Sequence, residues 1–446
     1  MRHDIKIKKG LDIPLGGIPE QKILDLRGVE RYAVKPPDVV GFTPRLLVAE
    51  GDTVTAGQSL VEDKRDARLT LPSPVDGIVE TIVRGEKRRL LEVVVCRNNQ
   101  STQNIQNTPN TLTPESPCWW MIKERPFGAI ANSDHKPKGI YISLRDTNPL
   151  APDLEFVLKG REHEFEAGVK ALETFAPVHC VKAEGPHPAG NIGTIVAAID
   201  PLSKGECIWT VNAQDVANIG RWCITGEYRP ERVIAVGGPA AKAPHYYRVI
   251  CGACLKQISE AQVMYESYPA MDGDGQTVAH TRIISGSPLS GSTVAADGFL
   301  GMYDQQVCYI EEGDKYDFMG WLMPGLKKFS FSKTFLSGLL GKLGNLEILD
   351  TLGMPRPSYN FNTNMHGSVR PFLFTGSFER VFPFDIYPLQ LIKACIVGDV
   401  ELQEKLGIYE VEPEDFALCE FIDPSKTEIQ SIIREALEVL RKEATA

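Results

Sequence analysis

The sequence predicts a multidomain α/β protein, on three observations. Residues 38–96 break into short apolar–polar alternations punctuated by Gly, Asp and Pro, the pattern of small strands joined by turns. Residues 138–237 alternate apolar runs with helical periodicity, as in a parallel sheet flanked by helices. The last third turns helical and ends in a strongly periodic stretch. At 446 residues the chain exceeds one ordinary core, so two to four domains are expected.

The elements follow in order. After an N-terminal segment, 1–37, the 38–96 stretch matches two patterns of biotinyl and lipoyl carrier domains. Gly51, Asp52, Val54, Gly57, Gln58 and Leu60 fit G-D-x-V-x-x-G-Q-x-L, and Ser73, Pro74 and Gly77 fit S-P-x-x-G. The stretch therefore resembles their barrel-sandwich fold. In carrier domains the modified lysine stands eight residues before that proline; Lys64 stands ten before Pro74, in "EDKRDA", which moves it off the hairpin tip. Residues 97–125 read as a linker rich in Asn, Gln, Thr and Pro, followed by a short helix from Pro114 to Arg125 with Trp119 and Trp120.

Residues 126–238 read as a Rossmann-like α/β layer. Its strands are 139–144, 178–181, 207–212 and 232–238; its helices are 161–175, with Phe165, Val169, Leu172 and Phe175 on one side, and 213–224. Residues 239–325 return to short strands, suggesting a β-grasp-like (SLBB-type) module. Residues 326–446 form a C-terminal, mainly helical region. Its last helix opens on Ser425 and Glu428 as a capping box, and Ile429, Ile432, Ile433, Ala436, Leu437 and Leu440 repeat every 3.6 residues. Leu336, Leu339, Leu340 and Leu343, within 335–349, share one helical face that either packs internally or docks on a partner.

A net charge of −10 argues against nucleic acid as a partner. No run reaches the ~18–20 apolar residues of a membrane span, and the N-terminus lacks the apolar core of a signal peptide. Ten scattered cysteines fit a reducing, cytoplasmic setting.

The motifs with chemical content are few. "AEGPHPAGNIGT" (183–194) sets Gly185, Gly190 and Gly193 around His187 after an apolar run. The spacing differs from the dinucleotide pattern G-x-G-x-x-G and leaves two readings open, a phosphate cradle or a structural turn. "GSPLSGST" (286–293) has Ser292 where a P-loop needs lysine, and "HEFEA" (163–167) has Ala167 where a zinc protease needs its second histidine. "CGAC" (251–254) is a lone C-x-x-C without companion cysteines, so no metal and no catalytic residue is expected.

Blocks along nearly the whole chain carry a resemblance. They are "IKIKKGLDIPLGG" (5–17), "DTNPLA" (146–151), "GPHPAG" (185–190), "ITGEY" (224–228), "ISGSPLSGS" (284–292), "GWLMPGLKKFS" (320–330), "ERVFPFDIYP" (379–388) and "EDFALCEF" (414–421). Together they resemble the A subunits of sodium-translocating NADH:quinone reductases. The resemblance implies a peripheral subunit on the cytoplasmic face of the bacterial inner membrane. It belongs to a six-subunit complex that oxidises NADH, reduces quinone and pumps Na+ outward, with FAD, FMN, riboflavin and iron–sulfur centres in other subunits. It further implies a fold similar to the FMN-binding subunit of respiratory complex I and the C subunit of Rnf complexes. Those relatives bind FMN on a glycine-rich loop and hold clusters on C-terminal cysteines. Here the loop lacks their Gly-Glu-Glu, and the C-terminal region keeps only Cys395 and Cys419. The expectation is a chain without its own cofactor, whose glycine loop (Gly185, His187, Gly190, Gly193) is vestigial, retained for folding or for contacts with a partner or quinone. The rival expectations are a stand-alone flavin or NAD oxidoreductase and a lipoyl/biotin-type carrier modified at Lys64.

Overall fold

In the computed structural model the described residues are 2–26, 28–98, 110–262, 281–313, 325, 328–329, 331, 358–365, 368, 370–372 and 376–444. Residues 1–37 supply one strand to each of three sheets. Strand β1 (Arg2–Lys6) runs parallel to residues 178–184, β2 (Glu20–Asp25) parallel to residues 245–248, and β3 (Arg31–Val34) antiparallel to residues 93–96.

The barrel-sandwich follows. Strands β4 (Pro44–Leu46), β5 (Thr53–Val54), β6 (Ser59–Asp63), β7 (Thr70–Pro72), β8 (Gly77–Arg84) and β9 (Leu90–Arg97) form two small sheets, ordered β3-β9-β8-β5 and β4-β6-β7. Val54, Leu60, Val61, Leu71, Val79 and Val93 on these strands are almost wholly buried. Each such side chain contributes about 1.5–3 kcal/mol relative to exposure, which explains why strands this short hold. Lys64 is exposed just beyond β6, its N–H bonded to the Thr43 carbonyl at 2.9 Å.

The expected tryptophan helix is a single 3-10 turn, Trp119–Met121, which gives way at once to β10 (Ile122–Arg125). An antiparallel ladder to residues 208–211 takes those residues. Both indoles are buried: Trp119 donates to the Ala131 carbonyl at 2.8 Å and stands edge-on to Trp209 at 5.5 Å. The α/β layer continues with β11 (Ala129–Ile130), β12 (Ile140–Ser143), α1 (Leu154–Leu158), α2 (Glu162–Leu172), β13 (Val178–Glu184), α3 (Ile192–Ile199), β14 (Ile208–Val211) and α4 (Ala213–Thr225). Its sheet runs β1-β13-β12-β14-β10-β11, parallel from β1 to β14 and antiparallel at the β10–β11 edge.

The stretch 232–238, expected in this layer, belongs to the next sheet. As β15 (Glu231–Gly237) it pairs antiparallel with β16 (His245–Ile250) and parallel with β19 (Gln306–Glu311). Helix α4 thus links two sheets instead of returning to its own. A fully buried ion pair fastens the junction: Arg232 on β15 meets Asp215 on α4 through two bonds of 2.6 and 3.2 Å. With α5 (Lys256–Gln262), β17 (Thr281–Ser285) and β18 (Ser292–Val294), the mixed sheet is ordered β18-β17-β19-β15-β16-β2.

The C-terminal region packs its own core from α6 (Pro388–Val397), α7 (Val400–Lys405), α8 (Ala417–Ile422) and α9 (Ile429–Ala444), around Phe382, Leu391, Phe416, Ile433 and Leu437. Helix α9 buries Ile429, Ile433, Ala436, Leu437 and Leu440 as its period demands. Its start differs from the expected Ser425–Glu428 box. The Asp423 carboxylate accepts the Ser425 and Thr427 N–H groups, each at 3.0 Å, and holds the chain in a turn through Lys426, whose φ is +62°. The Glu420 carboxylate then takes the Gln430 N–H at 2.8 Å. The leucine face of 335–349 lies outside the described residues. Among the described residues, no helix is long and apolar enough to cross a membrane.

Candidate functional site

The glycine loop leaves β13 and enters α3, at the carboxyl ends of the parallel strands, where open α/β sheets bind ligands. The loop is tied down from two sides. Gly185, at φ +135°, lies so close to the Ile7 carbonyl that a Cβ would collide with it. The Leu11 N–H donates to the His187 carbonyl at 2.8 Å, and the Asp12 carboxylate accepts the His187 N–H at 2.9 Å. From the other side, Thr147 Oγ1 accepts the Gly190 N–H at 2.9 Å and lies 3.3 Å from His187 Nδ1, while Ser143 Oγ donates to the Gly190 carbonyl at 2.8 Å. The imidazole of His187 is 1% exposed, and its Nε2 has no hydrogen-bond partner among the described residues. Burial holds its pKa down at about 4, so the ring is neutral at physiological pH.

The first turn of α3 is covered by the chain's own carboxylate. Asp415 lies against Gly193 so closely that any Cβ there would strike it. Asp415 Oδ2 accepts Arg125 Nη2 at 3.0 Å and the Glu412 N–H at 2.9 Å; both charged side chains are buried, at 2% exposure for Arg125 and 0% for Asp415. Glu412 and Asp415 form the reciprocal capping box of a short 3-10 turn, Pro413–Phe416, that projects this carboxylate toward the loop. A helix N-terminus attracts anions, and here an aspartate sits beside it.

Next to this contact lies a cavity of about 220 Å3 lined by Lys123, Arg125, Arg145, Asp146, Glu412 and Glu414 among others. Burial pushes the Asp146 carboxyl up, and burial with the nearby Asp415 and Glu412 pushes Glu414 up. Burial also lowers the Lys123 ammonium, which packs on the Tyr303 ring at 3.5 Å. The residues present do not fit flavin mononucleotide. The cavity falls below the ~300 Å3 of ordinary small-molecule pockets, and a phosphate against α3 would meet the Asp415 carboxylate.

The other singled-out residues are accounted for locally. "GSPLSGST" is the hairpin joining β17 and β18, closed by the Gly291 N–H to the Ser287 carbonyl at 2.6 Å. His163 lies on α2, exposed. In "CGAC" both cysteines are buried, and Cys254 Sγ donates to the Asp297 carbonyl at 3.2 Å. Burial raises the Cys251 and Cys308 thiols to about 12, away from nucleophilic use. Arg125 and Asp415 are the site residues that motif reading misses. Their one sequence signal is the capping-box spacing of Glu412 and Asp415 around Pro413.

Five of the dispersed blocks meet at this place. Residues 5–17 pack on the loop 185–190, Thr147 of 146–151 braces it, Asp415 of 414–421 covers its helix, and Ser287 of 284–292 donates to Asn148 at 3.0 Å. Comparison with known proteins agrees along the same length. The NqrA N-terminal barrel-sandwich hybrid domain matches residues 5–98, the NqrA second alpha/beta domain matches residues 106–184 and 173–228, and the NQRA C-terminal domain matches residues 233–296. The A subunit of the Na(+)-translocating NADH-quinone reductase of Rhodopirellula baltica is 35% identical over 473 residues, covering 98% of each chain. The A subunits of the same enzyme from Pasteurella multocida and Neisseria meningitidis are 35% and 34% identical, over 98% of this chain and 100% of theirs. The chain therefore belongs to the family of A subunits of the Na(+)-translocating NADH-quinone reductases.

Proposed function

We propose that this chain serves its Na+-translocating NADH:quinone reductase as a cofactor-free subunit, peripheral on the cytoplasmic face, that assembles with the other subunits, above all a membrane subunit, and borders the quinone side of the complex. FAD, FMN, riboflavin and iron–sulfur chemistry then belong to other members of a six-subunit assembly, which passes electrons from NADH to quinone and pumps Na+ outward. One observation carries this reading: the first turn of α3, the place for a phosphate in a glycine-loop fold, is covered by Asp415, itself paired with the buried Arg125. The loop of Gly185, His187, Gly190 and Gly193 is accordingly a structural relic of a cofactor site, available only through its outer surface to quinone or a partner. In the same reading the α/β layer is Rossmann-like and ends with α4, the mixed sheet that takes in β15 is a β-grasp-like, SLBB-type module, and the C-terminal region is mainly helical.

The test is purification of the chain alone, without denaturant, followed by absorption spectroscopy and iron analysis. The expected result is a colourless protein with neither flavin nor iron, which joins membrane subunits on co-expression. A flavin peak near one per chain would instead make it an oxidoreductase in its own right, and an acyl mass on Lys64 would make it a carrier.

A further inference from the structure

The face of the α/β sheet turned away from the glycine loop carries a second cluster. Glu124 stands between Lys123 and Arg125 on β10, so its side chain projects to the opposite side of the sheet from theirs. It pairs across the ladder with Trp209 on β14, and Cys207, two residues before Trp209, shares that face as a diagonal neighbour. His135 reaches the same spot from the turn that follows β11. One carboxylate oxygen of Glu124, one ring nitrogen of His135 and the sulfur of Cys207 all lie within 4.8 Å of one another.

Each of the three is fixed by bonds of its own. Glu124 Oε2 accepts the Trp209 indole N–H at 3.1 Å and the Asn132 N–H at 3.3 Å, which leaves Oε1 facing His135 Nδ1 at 2.8 Å. The His135 N–H donates to the Asn132 carbonyl at 3.1 Å, and Asn132 Oδ1 accepts the Asp134 N–H at 3.0 Å, closing the turn that presents the imidazole. The Cys207 carbonyl accepts the Lys138 N–H at 2.9 Å. The nearby Lys138 ammonium is itself paired with Asp200 at 2.8 Å and Glu206 at 3.1 Å, so its charge is offset. The His135 side chain is 53% exposed and gives an ion a way in.

We propose that Glu124, His135 and Cys207 bind a zinc ion through three protein ligands, with a fourth position open to water. Thiolate, imidazole and carboxylate together are a zinc donor set, whereas Ca2+ and Mg2+ take all-oxygen shells. Three protein ligands and one water is the arrangement of an open zinc site. The Trp209 and Asn132 donors play the outer-shell part, orienting the ligating carboxylate. An ion there cross-links β10, the 132–135 turn and the start of β14, the antiparallel edge of the α/β layer.

The test uses the full chain, tag-free and treated with chelator, titrated with Zn2+ in competition with a chromophoric chelator and separately with Co2+. The expected result is one ion per chain and, with cobalt, a thiolate-to-metal charge-transfer band. Cys207→Ser removes the band, and both Cys207→Ser and His135→Gln weaken binding at least about tenfold. His135 is exposed, so its variant keeps the fold, and unchanged circular dichroism verifies this for both. Cys254→Ser leaves affinity unaltered. Failure to bind zinc, affinity that survives both ligand variants, or loss of binding on Cys254→Ser overturns the proposal.

Discussion

His187 acts through the packing of its loop. With its ring buried and bonded toward Thr147, His187→Ala should cost about 1–2 kcal/mol of stability and leave the apparent KM for quinone in the assembled complex unchanged; a several-fold rise in KM at an unchanged melting temperature would contradict that. The pH dependence has a definite sign. The unfolded chain takes up the proton near pH 6.5 and the folded chain only near 4, so the contribution of the neutral ring is complete above 6.5 and is lost as pH falls toward 4. Denaturant titrations from pH 7 to 4 should show the wild type losing stability more steeply than His187→Ala. Asp415→Ala strands Arg125 without its buried partner and should destabilise the chain by about 3–5 kcal/mol, read by the same titrations. Lys64 is exposed beyond a strand end, and Lys64→Arg should leave NADH-dependent quinone reduction by the complex within tenfold of wild type. The glycine loop is visible in sequence because it is local. The Asp415–Arg125 pair spans 290 residues and no periodicity encodes it; nor does spacing announce Glu124, His135 and Cys207, which the β10–β14 ladder and the turn after β11 bring together.

Among the elements, legibility follows length and period. The helices α2, α4 and α9 stand where they are expected, α9 burying one apolar stripe and α4 buried all round its first two turns. The tryptophan turn does not, because a short apolar run fits a helix or a strand equally well and tertiary pairing decides between them; β15 is a strand as its run predicts, but its pairing with β16 and β19 puts it in the neighbouring sheet. The start of α9 makes the same point: S-x-x-E spacing is present, yet the Asp423 carboxylate captures the Ser425 and Thr427 N–H groups first. Asp423→Ala should therefore cost about 0.5–2 kcal/mol, seen as a lower denaturation midpoint, whereas Glu428→Ala should cost less. The opposite ranking would restore the expected box.

At the scale of the molecule, the sequence order of barrel, α/β layer, short-strand module and helices is the order found in the structure, each recognisable from its own local pattern. What local pattern omits is how the modules are joined, by α4 into β15 and by the strands before residue 37. Membrane attachment is expected to rest on partner subunits. No described helix spans a bilayer, and a net charge of −10 disfavours anionic lipid. Purified chain should remain at the bottom of a flotation gradient with anionic liposomes; salt-resistant flotation would assign the attachment to lipid.

The dispersal of β1, β2 and β3 among three sheets also bears on the order in which the protein is made. Strand β3 finds β9 within the first hundred residues, but β1 must wait for β13 and β2 for β16. At synthesis rates of about 5–20 residues per second, β1 leaves the ribosome roughly ten to thirty seconds before its partner exists. The barrel can close while the ribosome is still translating the α/β layer, with the oldest part of the nascent chain left as an unpaired tail. The first strand made is thus seated only after the barrel strands that follow it in sequence, and its docking beside β13 draws Ile7 and Asp12 onto the glycine loop.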